Sequence, residues 1–236
     1  MSPLRIDIWS DIACPWCYVG KRRLEAALEH LPAAERAQVH ITWHAFELDP
    51  SAPRERGRDV SYAERLAKKY GSPLATAQAR IASMVQTAKA DGLDFDFERI
   101  RPGNTFDAHR LLHLAHERGV QDVVKERFLL GYLSQGEAIG DPAVLERLAI
   151  EAGLPAEEVR AVLDTDRYAA EVRADEAEAR ELGIQGVPFF VFDERLAVSG
   201  AQPSAVLLSA LKQAFAARPS SAVPFEEGAV CGPEGC

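Results

Sequence analysis

The sequence predicts an α/β fold in which a small sheet is split by a long all-helical insertion. Three observations predict it. A strand–helix–strand pattern runs from Leu4 to Phe46. An Ala-, Leu-, Glu- and Arg-rich stretch from Ser61 to about Gly183 carries helical periodicity. Strand character then returns at Phe189 and is followed by one more helix. With 236 residues, 47% of them hydrophobic, the chain can bury a substantial core in one large domain or two small ones.

Each element has its own signal. Leu4 to Trp9 is apolar with Asp7 inserted, the pattern of a mostly buried strand. Pro15 to about His30 reads as a helix stopped by Leu31-Pro32. Val39 to Phe46 is β-branched and aromatic, a second strand, and Asp49 to Arg58 is a Pro- and charge-rich loop. Breaks at Gly71-Ser72-Pro73, Asp91-Gly92, Gly140-Asp141-Pro142 and Gly153-Leu154-Pro155 divide the insertion into helices. Ser61-Tyr62-Ala63-Glu64 fits a capping box, Asp141-Pro142 puts a capping acid before Pro at the first helical position, and Asn104 reads as an N-cap. Phe189 to Phe192 and Arg195 to Ser199 read as a hairpin across Asp193-Glu194, followed by an amphipathic helix from Ser204 to Ala217. The implied division is 1–60 with 184–217 as a discontinuous sheet domain, 61–183 as the helical insertion, and 218–236 as a mobile tail.

Charge removes several classes. A net charge of −9 and a pI near 5.2 argue against nucleic acid, whose phosphates need clustered Lys and Arg. Arg54-Glu55-Arg56-Gly57-Arg58 is short, carries a Glu, and reads as a solvated loop. Arg5, Asp7 and Asp11 interrupt any secretory h-region, and there is no apolar run of about 20 residues to span a membrane. The expected location is the cytoplasm. Four cysteines there point to catalysis, redox sensing or metal binding rather than to structural staples.

The chemistry centres on Cys14-Pro15-Trp16-Cys17. Two thiols two residues apart can interconvert between dithiol and disulfide, though the same spacing also occurs in zinc sites. Here a strand precedes the motif, a helix follows it, and Gly186-Val187-Pro188-Phe189-Phe190 supplies a distant proline loop leading into a strand. That is the layout of a thioredoxin-like redox site. Cys14 falls at a helix N-terminus, where unpaired N–H groups and the helix dipole stabilise a thiolate, so its pKa is expected to fall. Cys14 is then the exposed nucleophile, and Cys17, one turn in, resolves the mixed disulfide.

Three segments carry a family resemblance: Ser10 to Lys21, Asn104 to His113, and Gly183 to Val191 followed by Ser199-Gly200-Ala201-Gln202-Pro203. On these the chain resembles the DsbA family of thiol–disulfide oxidoreductases, in its FrnE-like branch. The resemblance implies a thioredoxin-like fold with a large inserted all-helical domain. It also implies a cis peptide bond before Pro188 that sets the Val187 backbone beside Cys14, where a substrate peptide pairs in strand-like fashion. Pro15, Trp16, Val187 and Asp11 are the implied substrate-binding residues. The strongly oxidising periplasmic DsbA proteins carry His where Trp16 stands; Trp gives the thiolate no positive charge, so a less oxidising pair is expected. Asp11 reads equally as a general base for Cys17 or as a brace for the loop. Asp7 reads as a strand-edge residue. His109 and His113, one turn apart, read as packing or groove lining rather than as metal ligands.

The tail ends in Cys231-Gly232-Pro233-Glu234-Gly235-Cys236. About 13 residues link Ala217 to Cys231, a reach of roughly 45 Å when extended. Cys231 and Cys236 are therefore candidate catalytic residues, a tethered relay to the Cys14/Cys17 pair; a passive sensor, and one zinc ion shared by four thiols, are the blander alternatives. No tightly bound cofactor or metal is expected. Expected partners are protein thiols and disulfides, with a thioredoxin- or glutathione-type electron donor. Two rival classes stay open. One is a glutathione-dependent isomerase or transferase resembling hydroxychromene-carboxylate isomerases, which carry Ser at the Cys14 position. The other is a redox-regulated chaperone.

Overall fold

The computed structural model describes residues 3–54 and 60–218. The chain opens with β1 (Leu4–Ser10), α1 (Pro15–Glu29), the short α2 (Ala33–Arg36) and β2 (Val39–Ala45). Seven helices follow: α3 (Tyr62–Tyr70), α4 (Leu74–Ala90), α5 (Phe106–Glu117), α6 (Gln121–Leu133), α7 (Pro142–Glu151), α8 (Ala156–Leu163) and α9 (Ala169–Glu181). The chain returns to the sheet as β3 (Phe189–Phe192) and β4 (Leu196–Ser199), then closes with α10 (Ser204–Ala216). No helix among the described residues is long and apolar enough to cross a membrane.

The sheet order is β2-β1-β3-β4, with β1 parallel to β2 and the other pairs antiparallel. The expected hairpin is present. Asp193 and Glu194 both take positive φ, 46° and 57°, and Arg195 N–H closes the turn on Phe192 C=O at 3.0 Å. This is the primed geometry that matches strand twist. The Ser61 capping box and the Asp141 cap form as expected. Asn104 sits one residue earlier than expected: Thr105 is the N-cap of α5, and Asn104 serves it by accepting from Phe106 N–H at 2.8 Å.

Alternation along β1 assigns its two faces. Leu4, Ile6 and Ile8 pack with Leu24 and Ala27 of α1 and Leu207 and Leu211 of α10. Trp9 faces the other way, against Ala179 of α9 and Ile184. The start of α1 belongs to a different core: Tyr18 and Val19 pack with Leu111, Phe128 and Leu129 among the helices. One helix thus spans both cores, with the cysteines at its start. β1 lies inside the sheet, which corrects the reading of Asp7 as a strand-edge residue: it is 5% exposed and points toward α9.

The outer edge of β2 is closed by a side chain. Gln121 accepts from Trp43 N–H at 2.9 Å and donates to Trp43 C=O at 2.8 Å, as a neighbouring strand would. Trp43 Nε1 donates to Asp122 at 3.1 Å. Lys21 of α1, itself buried, pairs with Asp122 and Glu126 of α6 at 3.1 Å each, and also with Glu25. These links fix the register of α6 against α1 and β2.

Candidate active site

Cys14 is the N-cap residue of α1 and Pro15 its first helical residue. Cys17 N–H bonds back to Cys14 C=O at 3.0 Å. Both cysteines are unbridged thiols. The expectation of an exposed Cys14 needs correction: it is only 5% exposed and Cys17 is fully buried, because the 187–188 loop lies over the start of the helix. The Val187–Pro188 bond is cis, and Cys14 Sγ donates to Val187 C=O at 3.5 Å. Pro188 C=O is tied down by Gly200 N–H at 2.8 Å. The aromatic face of Trp16, 43% exposed, stands beside the pair.

A cavity of about 1330 Å³ opens at this point. Asp11, Cys14, Pro15, Trp16 and Val187 line one wall, and residues of α3 and α4, Tyr62 and Met84 among them, line the other. Arg65, Lys68, Lys69 and Arg80 also line it, a cationic wall in an otherwise acidic chain. The volume exceeds that of an ordinary small-molecule pocket and suits an extended peptide.

The two thiols titrate as one unit. Hydrogen bonding with Cys17, then burial, then the charge of an ionised Cys17 hold the Cys14 thiol well above its ordinary value. Burial would raise Cys17 too, but the hydrogen bond from Cys14, the Lys125 charge and the Ser10 hydroxyl outweigh it and bring Cys17 down. The depression expected for Cys14 alone thus belongs to the first proton lost by the pair. That proton leaves easily and the second with difficulty.

Asp11 braces the loop. It is 1% exposed and accepts from Leu48 N–H at 2.8 Å, from Ala13 N–H at 3.2 Å, and from His109 Nε2 at 3.4 Å. Burial would raise its pKa, but His109 and the Leu48 N–H reverse that and keep the carboxyl ionised. An acid held below its normal range is a poor general base near neutrality, so the bracing reading of Asp11 is favoured. His113 turns away from the groove to Asp175, at 3.0 Å.

Three features escaped the sequence reading. His44 bonds Asp175 through Nδ1 at 2.9 Å and Asp7 through Nε2 at 3.0 Å, and stacks on Trp9 with ring centroids 4.6 Å apart. Burial pushes its pKa down, yet Asp175 and Asp7 raise it to about 9, so His44 is an imidazolium at neutral pH. Gln121 closes the sheet edge. Lys125 of α6 is buried with no hydrogen-bond partner among the described residues. Their partners lie 78 or more residues away for Gln121 and 131 for the His44–Asp175 pair, so local pattern gave no signal. Cys231 and Cys236 lie outside the described residues.

A four-stranded mixed sheet, a dithiol at the start of the helix after its central strand, and a facing cis-proline define a thioredoxin-fold protein. Residues 5–212 match the DSBA-like thioredoxin domain family, and the chain belongs to it. It is similar to a probable DsbA oxidoreductase from Streptomyces coelicolor, with 45% identity, a TM-score of 0.83, and coverage of 99% of this chain and 98% of that one. The uncharacterized protein YwbO of Bacillus subtilis is 26% identical over 193 residues, 81% of this chain and 88% of YwbO. The fold is also shared with the cytosolic disulfide reductase DsbM from Pseudomonas aeruginosa, solved with GSH, at 18% identity and a TM-score of 0.60 over 90% of this chain and 100% of that one.

Proposed function

We propose that the chain is a cytoplasmic thiol–disulfide oxidoreductase that acts on protein thiols or disulfides through Cys14 and Cys17. The observation that carries this reading is the 3.5 Å contact between Cys14 Sγ and the Val187 carbonyl beside cis-Pro188, at the mouth of the large cavity. A substrate strand entering there meets a backbone edge at Val187 and the sulfur of Cys14 together. Cys14 attacks the substrate disulfide and forms a mixed disulfide. Cys17 then displaces the substrate sulfur and closes the Cys14–Cys17 bond; two electrons pass from the pair to the substrate. Trp16 and Pro15 contact the substrate and Asp11 holds the loop.

The likeness to DsbM supports a cytoplasmic setting and a glutathione-type donor. The paired Cys17 supports dithiol chemistry over the isomerase or transferase reading, in which a second thiol has no role. The relay through Cys231 and Cys236 rests on sequence alone, and turnover by the Cys231→Ser/Cys236→Ser double variant with each donor tests it.

The deciding experiment is insulin-disulfide reduction by wild type, Cys14→Ser and Cys17→Ser, with the midpoint potential of the pair. Activity lost in both variants and a mixed disulfide trapped on Cys17→Ser are expected. An inactive wild type that traps nothing would overturn the redox reading.

A further inference from the structure

Lys125 is a fully buried lysine whose Nζ has no hydrogen-bond partner among the described residues. An ammonium in that position is costly, and the burial of an unpaired charge asks for a reason. Its nearest aid is the face of Trp43, 5.4 Å from Nζ to the ring centroid. The charges that act on it most strongly are those of Cys17, then Asp11, Cys14 and Asp122. From β2 it meets the Trp43 ring; His109 of α5 is turned to Asp11. The ion pairs of Lys21 with Asp122 and Glu126 hold α6, and with it Lys125, against the second turn of α1. Burial pushes Lys125 down to about 8, against the opposing pull of Cys17 and Asp11, so its amine and ammonium forms are both accessible near neutral pH.

Resting on the redox reading above, we infer that Lys125 is the internal proton acceptor for Cys17 when Cys17 attacks the mixed disulfide. In the free dithiol, a hydrogen bond from Cys14 helps Cys17 ionise. Once Cys14 Sγ is bonded to substrate, that hydrogen bond is gone and Cys17 must lose its proton in a buried site. Asp11 is an ill-suited acceptor because Leu48 N–H, Ala13 N–H and His109 already hold it ionised. Lys125 makes no hydrogen bond to Cys17 in the resting dithiol, so the proton crosses to its amine through one water, and Lys125 becomes ammonium. The Cys17 electron pair forms the Cys14–Cys17 bond, and the Cys14–substrate bond breaks. The substrate sulfur leaves as a thiolate and recovers a proton from solvent, while Lys125 returns its own to solvent when the pair is next reduced.

The test uses the reduced full chain and an aromatic disulfide that releases a coloured thiol in two phases. The first phase reports attack by Cys14 and the second reports resolution by Cys17. Lys125→Met should slow the second phase about a hundredfold at pH 7 and leave the first within threefold. Lys125→Arg, which keeps a charge that cannot be surrendered, should stay slow as well. An unchanged second phase in Lys125→Met, or full rescue by Lys125→Arg, overturns the proposal. If the variants do not fold, the ε-carbon resonance of Lys125 in labelled wild type decides: a midpoint between about 7 and 9 supports it, and none there overturns it. A wild type with no second phase at all overturns the redox reading instead.

Discussion

A β-carbon placed on Gly20 would lie 2.8 Å from Cγ of Pro188 and 3.2 Å from the Phe190 ring. The second turn of α1 and the cis-proline loop therefore touch at a point where only a hydrogen fits. Gly20→Ala gains about 1 kcal/mol of helix propensity. It also overfills the contact at a cost of about 1–3 kcal/mol. The expected outcome is a protein that folds with little net change in stability but whose loop is pushed off Cys14. Insulin reduction should fall at least tenfold while the melting temperature moves by only a few degrees; full activity would show the loop spacing to be unimportant.

Stability should fall on the alkaline side because of His44. Its folded pKa is about 9 against an ordinary 6.5. Its contribution is whole below about pH 6.5 and is lost as pH rises through 9. Asp7 and Asp175 are held below their ordinary 3.8, chiefly against burial by hydrogen bonds with His44 and, for Asp175, His113, so theirs is lost as pH falls below about 4. All three contribute fully between those limits. Denaturant midpoints measured from pH 6 to 9.5 should show wild type losing at most about 3 kcal/mol. His44→Gln should be weaker throughout and flat over that range.

Gln121→Ala should destabilise more than its surface-like identity implies. It leaves both the N–H and C=O of Trp43 unpaired at a buried sheet edge. The expected loss is about 2–4 kcal/mol in urea titration. A loss under half a kcal/mol would mean that water replaces the amide without cost.

Trp16→His should make the pair more oxidising. Trp16 sits two residues after Cys14 at the start of α1 and is exposed enough for the change to be tolerated. An imidazolium there stabilises the thiolate and so the reduced form. A rise of roughly 30–60 mV in midpoint potential corresponds to about 1.4–2.8 kcal/mol. A glutathione redox titration reads it directly, and a fall in potential would contradict the role given to Trp16.

Much of this architecture was legible in sequence for identifiable reasons. An apolar run located β1, a β-branched and aromatic run located β2, the Asp193-Glu194 turn located the hairpin, and Ser61-x-x-Glu64 and Asp141-Pro142 marked helix starts. The short α2 carries too few residues for a periodic signal. At the site, Cys14, Cys17 and Pro188 were legible because each stands in a local motif. Lys125, Gln121 and His44 were not: each reads alone as an ordinary polar residue, and each gains its role from a partner brought in by the fold. Asp7 was misread because a lone acid in an apolar run marks a strand but does not give that strand's place in the sheet.

Because α1 gives its first turns to the helical core and its last turns to the sheet core, neither core is complete without it. Excising 61–183 would strip the helices from Tyr18 and Val19 and leave them bare beside the cysteines. The insertion is thus less an ornament than half of a joint. α1 is the pin, and it carries Cys14 and Cys17 at the end that the helical core holds.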